Sequence, residues 1–470
     1  MAPDINTNRN LALQLSSYIS DRNKASFSEE VTSKAKYHIL DTIAAAVSGS
    51  RLKSGSVARN FIRSQPDAKE AQVIGSSLVT SSLNAALVNG VMAHADETDD
   101  FIPGPNIHPG AAVIPAALAL SEREGSDGKV FLNAVIVGYD IGCRILQSIN
   151  SEALRQGGRC SQSFGGCFGA AAAAAVILGL STSEVNYVLS YAAQQAAGLM
   201  YWPRDKEHIE KGFLFGGMPA RDGLTAALLV SSGFTGVDDP FSGEGNLFEC
   251  TSTDAKPELL VEELGKRQSI MLAYLKKFSV GGPAQSPLQA LLQIISNHQL
   301  EAAHVEKIVA YLPGTWVVTD RTMPDIDLRY LLAVTLLDKG LSFEASHSFE
   351  RREDAATSKL MSRIELVDSP ELQTPRHKRP GIVEVTTRDG SKFREHVSSP
   401  PGSPDNPMTR EELESKCCDL LMPTLGESLT GKLIETIWNI EQVKNVRELR
   451  PLISEPVNSG GGLDKRLSWV

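Results

Sequence analysis

Small residues crowd the helical stretches of the first 270 positions, and they constrain the fold more than any other feature of the chain. The runs at 111–122, 131–149, 169–180, 184–198 and 222–232 are longer than strands, rich in Ala and punctuated by Gly or Ser. Small side chains let helix axes approach closely, so a chain with several such runs is expected to pack helix on helix. The stretch "SFSEEVTSKAKYHIL" adds a start signal, with Ser26 as N-cap and Glu29 three residues on, the spacing of a capping box. The most apolar run, "GAAAAAAVILGL" at 169–180, is too short for a bilayer and rich in Ala, so no membrane is expected.

The helical pattern breaks at 273–285, "AYLKKFSVGGPAQ", and resumes as one helix at about 286–297. "VEKIVAYLP" and "MSRIELVDS" then read as strands, and "GIVEVTTRDGSKFREHV" as a hairpin turning at Asp389-Gly390. The breaker-rich "SSPPGSPDNP" at 398–407 reads as a linker, after which helices return, the first capped by Thr409 with Glu412. The expected fold class is therefore mainly α. A large all-helical domain, residues 1–273, carries an inserted smaller α+β domain, residues 274–405, and C-terminal helices, residues 406–470, rejoin the first.

A chain of 470 residues exceeds what one core usually fills, and 42% hydrophobic with 22% charged residues excludes disordered and fibrous classes. The net charge of −10, with no Lys/Arg run, excludes nucleic acid as a partner and requires any anionic ligand to meet local cations. Six cysteines without a CxxC pair, and an N-terminus lacking the features of a secretory signal, point to a cytoplasmic setting. No P-loop, GxSxG or dinucleotide fingerprint occurs.

The groups able to move protons concentrate in "HADETDDFIPGPNIHPG", which holds His94, Asp96, Glu97, Asp99, Asp100 and His108. Helical spacing would set His94 beside Glu97, Asp96 beside Asp99 and Glu97 beside Asp100. His108 precedes an apolar helix whose N-terminus favours an anion. A second segment, "GLMYWPRDKEHIEKGFLFGGMPARDG", gathers Arg204, Lys206, His208, Lys211 and Arg221 near Tyr201 and Trp202, a local anion site in an acidic chain. Cys160, in "RCSQSFGGCFG", reads first as a small buried hydrophobe. Acid/base use and metal ligation by His94, Asp99 and His108 are both open; without HExxH or an adjacent His-Asp pair, metal comes second.

These segments, in this order, resemble the MmgE/PrpD family, which includes 2-methylcitrate dehydratase, cis-aconitate decarboxylase and iminodisuccinate epimerase. The matching pieces include "ILDTIAAAVSGS", "NGVMAHADETDD", "HPGAAVIPAALALSE", "FGGCFGAAAAAAVILGLS", "GGMPARDGLTAALLV" and "KKFSVGGPAQSPLQAL". The resemblance implies a homodimer that needs no metal or organic cofactor, with the α+β domain as a lid and the site between the domains. The family's His-x-x-acid-x-Asp-Asp pattern falls on His94, Glu97, Asp99 and Asp100, with Glu97 where the decarboxylase and dehydratase have Asp. Phe101 replaces the decarboxylase's Thr, His108 matches the His-Pro motif, and Lys211 falls within a residue of the family lysine. Cys160 stands where the decarboxylase has a histidine, and Gly281 and Gln285 stand where a lid histidine is expected. Two missing histidines imply a substrate other than cis-aconitate.

The expected activity is a lyase abstracting a proton next to a carboxylate of a small di- or tricarboxylate, dehydration ahead of decarboxylation. An epimerase or isomerase on the same fold is the alternative, ahead of a metal-dependent hydrolase or a non-catalytic member. Glu97, Asp99, His108 and Lys211 are the expected catalytic groups. His94, Asp100, Phe101, Cys160, Tyr201, Arg204, Arg221 and Gln285 are the expected substrate contacts. Desolvation between domains is expected to raise a buried carboxylate toward the range of a general base.

Overall fold

Glycines at facing positions bring the helices Gly128–Ser148 and Ser161–Leu178 almost into backbone contact. A Cβ on Gly142 would lie 2.6 Å from the Gly165 carbonyl oxygen, and one on Gly169 would lie 2.7 Å from that of Gly138. The computed structural model describes residues 5–65, 68–315, 318, 322–373 and 378–456. Around the central pair pack the helices Glu29–Gly49, Ser82–Ala93, Pro109–Glu124 and Met218–Ser231, in one core running from Ala12 to Leu275. The same core takes in Leu413, Leu420 and Leu433 of the helix Arg410–Trp438, which bends at Gly426, φ 75°. Both central helices are long and apolar enough to cross a membrane, and both are packed inside the protein.

A second core, from Phe278 to Val397, lies on a four-stranded sheet in the order Ile364–Asp368, Val305–Leu312, Gly381–Thr387, Lys392–Val397. The first pair is parallel, which requires a crossover, and the helix Leu328–Asp338 lies within it. The other pairs are antiparallel; Val383 and Val385 alternate into the core while Ile382 and Glu384 are only partly covered.

Local differences from the sequence expectation have local causes. The first cap is Ser28, not Ser26: the helix starts at Glu29, and the Ser28 hydroxyl accepts the Val31 N–H at 3.4 Å. The Thr409–Glu412 capping box forms in both directions. The helix expected at 169–180 begins at Ser161, because Gly165, Gly166 and Gly169 serve close packing rather than a break. A two-stranded ribbon, Ala71–Gln72 with Val79–Thr80, interrupts the helical part. The segment 398–407 is fastened rather than loose: the Gly402 carbonyl accepts the Leu275 N–H at 3.0 Å, and Ser403 is buried.

Candidate active site

The helix Ser82–Ala93 ends with His94 as its C-cap, and residues 95–100 follow as bends rather than a continued helix. The side chains therefore separate differently from the expected helical pairs. The Asp96 carboxylate accepts both the backbone N–H and the hydroxyl of Thr98 at 2.8 Å, and its Oδ2 lies 2.9 Å from His347 Nε2. Asp99, fully buried, meets Nδ1 of His94 at 2.9 Å and Nδ1 of His108 at 3.1 Å. Asp100 turns away from Glu97. Its carboxylate takes His38 Nδ1 at 2.6 Å, the Tyr139 hydroxyl at 2.7 Å and the Gly110 N–H at 3.0 Å, so it braces the start of the helix Pro109–Glu124 in place of the expected substrate contact.

Cations arrive from two other parts of the chain. Lys211, on the short helix Ile209–Gly212, pairs with Glu97. Lys276 donates to the Glu97 carbonyl at 2.6 Å, and its Nζ is 3.7 Å from both the Glu97 and Asp99 carboxylates. His208, held at φ 59°, a backbone strain tolerated mostly where a site needs it, places Nε2 3.9 Å from Glu97. Aromatic rings wall the cluster: Phe215 stacks on His94 at 4.7 Å, and Lys211 Nζ sits over Trp202 at 4.9 Å. Phe101 lies 4.9 Å from the His108 ring, its backbone bridged to Tyr274 by bonds of 3.0 and 2.8 Å. Glu97, 14% exposed, Lys211, 10% exposed, and His108, 9% exposed, are where this nearly closed group meets solvent.

This charge arrangement reverses the expected carboxylate behaviour. Burial pushes Glu97 up, but Lys211, Lys276, His208 and His94 together hold it well below its usual range. Burial likewise pushes Asp99 up, but His108, His94 and Lys276 outweigh it and hold Asp99 well below its usual range. The imidazoles go the other way: burial lowers His108 to about 4 against the pull of Asp99, and burial with Lys211 lowers His208 well below its ordinary value. Ionised acids thus stand beside neutral imidazoles. Ionised Asp99 can only accept, so His108 Nδ1 carries the proton and Nε2 keeps its lone pair. That is the form of a general base. Burial does raise Asp325, to about 6, with His347 opposing and Asp96 and Glu97 reinforcing the rise.

Among the described residues two groups, His94–Asp99–His108 and His94–Glu97–His208, bring ligand atoms within 4.8 Å of one another, as a metal ion would require. A divalent ion there would have to displace the ammonium groups that already neutralise both carboxylates.

Residues 13–260 match the MmgE/PrpD N-terminal domain and residues 278–442 the MmgE/PrpD C-terminal domain. The chain belongs to the MmgE/PrpD family. A cis-aconitate decarboxylase-like protein of Aspergillus oryzae is 24% identical over 95% of this chain and 97% of its own length. A cis-aconitate decarboxylase of Aspergillus terreus is 25% identical over 92% and 93%, and that of Homo sapiens 24% over 91% of each.

In this MmgE/PrpD chain the structure gathers His94, Glu97, Asp99, Phe101, His108 and Lys211. Cys160 caps the helix Ser161–Leu178 and packs with Leu214 and Phe215 behind the aromatic wall, where burial pushes its thiol up. Tyr201 and Arg204 are exposed and stack on each other at 5.3 Å, away from the expected carboxylate contact. Arg221 is taken by its neighbour Asp222 at 2.8 Å. The Gln285 amide closes the Gly-rich turn by bonding Phe278 and Val280 backbone at 2.9–3.1 Å, a structural role in place of substrate contact. Sequence reasoning gave Lys276, Asp325 and His347 no role and His208 only a general one. Lys276 carried a faint signal, a Lys pair where the helical pattern breaks; Asp325 and His347 carried none.

Proposed function

We propose that the chain is a lyase removing a proton next to a carboxylate of a small di- or tricarboxylate, with His108 Nε2 as the base. The observation that carries this reading is a neutral imidazole, oriented by ionised Asp99, beside two ammonium groups in a nearly closed site. The proton passes from carbon to His108 while the electron pair moves onto the carboxylate oxygens. Lys211 and Lys276 supply the positive charge that those oxygens need. Collapse then expels a hydroxyl from the neighbouring carbon, which leaves as water once protonated. In the alternative outcome a carbon–carbon bond breaks, carbon dioxide leaves, and the electron pair left on carbon takes up a proton. Family membership and the relatives' names support lyase chemistry and give decarboxylation more weight than the sequence did. Phe101 and Cys160 speak for a substrate other than cis-aconitate. A homodimer in the cytoplasm, working without metal or cofactor, completes the proposal.

The test incubates the purified protein with a panel of polycarboxylates in deuterated water, followed by NMR and mass spectrometry. Loss of water or of carbon dioxide is the expected result. Deuterium uptake without loss of mass would move the assignment to an epimerase, and no exchange into any member would sink the proposal.

A further inference from the structure

Residues 95–100 carry Glu97 and Asp99, and a third acid of the same bends, Asp96, meets a side chain from the α+β domain. We propose that His347 is a positioning residue: as an imidazolium it pins Asp96, and through Asp96 the bends that set Glu97 and Asp99, so that loss of its proton releases the site loop. That this loop is catalytic rests on the lyase reading; the placement and charge of His347 do not.

His347 ends the helix Phe343–His347, which sits where the two cores meet. Phe343 packs in the first core and donates its N–H to Asp419 Oδ2 at 2.6 Å, while Ala345 packs against the second core and its carbonyl accepts the Tyr330 hydroxyl. The imidazole stacks on the Phe343 ring at 4.0 Å, which fixes the direction of its two nitrogens. Nδ1 lies 2.9 Å from the Phe343 carbonyl oxygen and Nε2 lies 2.9 Å from Asp96 Oδ2. A carbonyl and a carboxylate oxygen only accept, so a lone pair on either nitrogen would face another lone pair, and the ring protonated on both nitrogens suits both neighbours. The Ser346 hydroxyl, 3.0 Å from Nδ1, donates to the same Phe343 carbonyl at 2.9 Å.

The charges around the ring favour that form. Asp325 Oδ2 is 4.0 Å from Nε2, and both oxygens of its carboxylate are buried without a hydrogen-bond partner among the described residues. Glu344, on the same short helix, and Asp419 add negative charge, which Arg51, 5.7 Å from the centre of the Phe343 ring, partly offsets. Burial works against the imidazolium, but Asp96, Asp325 and the Phe343 carbonyl overcome it and hold the ring above its ordinary 6.5. Loss of the proton would leave Asp96, 1% exposed, as a buried carboxylate without its counter-charge, a cost relieved when the loop moves toward water. Because Asp96 accepts the N–H and hydroxyl of Thr98, which lies between Glu97 and Asp99, that movement disturbs both catalytic candidates. With a raised folded value, the contribution of His347 to stability is complete below 6.5 and is lost as pH rises through that raised value.

The full-length protein with 13C-labelled histidine is titrated by NMR, the His347 signal being the one lost in His347→Gln and most displaced in Asp96→Asn. Wild-type His347 should titrate above 6.5, and Asp96→Asn should lower its value by about 1 pH unit or more. Hydrogen exchange over residues 94–101, corrected for its intrinsic pH dependence, should quicken as pH passes the wild-type value. With a turned-over substrate, His347→Gln at pH 7 should lower kcat about 10- to 100-fold, the scale of a displaced catalytic group, and leave KM within about threefold. The alkaline limb of kcat should follow the NMR value and move to lower pH in Asp96→Asn. The double variant, which removes both charges, should lose less than the two single losses combined. Wild-type His347 titrating at or below 6.5, an alkaline limb unmoved by Asp96→Asn, or additive losses in the double variant would overturn the proposal. A raised His347 with pH-dependent loop exchange, in a protein that turns over no polycarboxylate, would keep the interdomain contact and defeat the lyase reading.

Discussion

In the proposed reaction His108 and Asp99 divide the labour that a single raised carboxylate was expected to perform. If His108 Nε2 is the base, His108→Ala should lower kcat by about 10²- to 10⁴-fold with a smaller change in KM. Steady-state kinetics on the substrate found in the polycarboxylate screen checks this, and wild-type kcat in the variant would remove His108 from the role. The same imidazole makes stability depend on pH. Its folded value of about 4 lies below the ordinary 6.5, so its contribution is fully present above 6.5 and is lost as pH falls toward 4, about 3 kcal/mol in all. Asp325, raised from 3.8 to about 6, works in the opposite sense, contributing at low pH and losing that contribution as pH rises through 6. Urea unfolding at pH 7.5 and 4.5 should therefore show a smaller acid-side loss in His108→Gln than in wild type; parallel losses would contradict the assignment. His94, Glu97, Asp99 and His108 were legible as candidates because they lie within one short stretch of chain. Their protonation states were not, because these depend on Lys276, distant in sequence from the carboxylates it approaches.

Helix contacts set the distances within this site, and glycine sets the helix contacts. Gly90, on the helix Ser82–Ala93, faces the π-helical turn Phe213–Gly217 that follows Lys211 and carries Phe215. A Cβ on Gly90 would lie 2.6 Å from the Gly216 carbonyl group, backbone that cannot swing aside. Gly90→Ala should cost about 1–3 kcal/mol of stability, as overpacking does, and lower turnover as well, since Lys211 and Phe215 ride on the displaced turn. Thermal melting and kcat measured together check this, and a variant that melts lower with full activity would uncouple the turn from the site. The helices were readable because Ala and Gly recur over runs too long for strands, and the hairpin because Asp389-Gly390 turns it. The ribbon at 71–72 and 79–80 left no readable period, being two residues per strand. The bends after His94 were equally hidden, since nothing in "HADETDD" distinguishes a helix from a cap followed by turns.

The chain passes from the first core to the second near residue 276, and the first core is itself tied together by side chains reaching across long sequence separations. Lys416, on the C-terminal helix Arg410–Trp438, places Nζ 2.5 Å from Asp41 Oδ1 and 3.1 Å from the Thr98 carbonyl, so one buried ammonium ties the last long helix to the helix Glu29–Gly49 and to the site loop. Burial raises Asp41 to about 6 even with Lys416 opposing it. Lys416→Met removes that opposition while filling similar volume, and the pKa of Asp41 rises further. A carboxyl with a raised folded value keeps its contribution below that value and loses it as pH climbs through it. The variant should accordingly be close to wild type at pH 5, where Asp41 is protonated. At pH 8 it should be destabilised by up to about 3 kcal/mol, since keeping Asp41 protonated forfeits about 1.4 kcal/mol for each pH unit above the wild-type value of about 6. Urea titrations at the two pH values separate this from simple loss of packing, which would lower stability equally at both. Because Thr98 lies next to Asp99, the variant should also lose activity at pH 5, where its fold is intact.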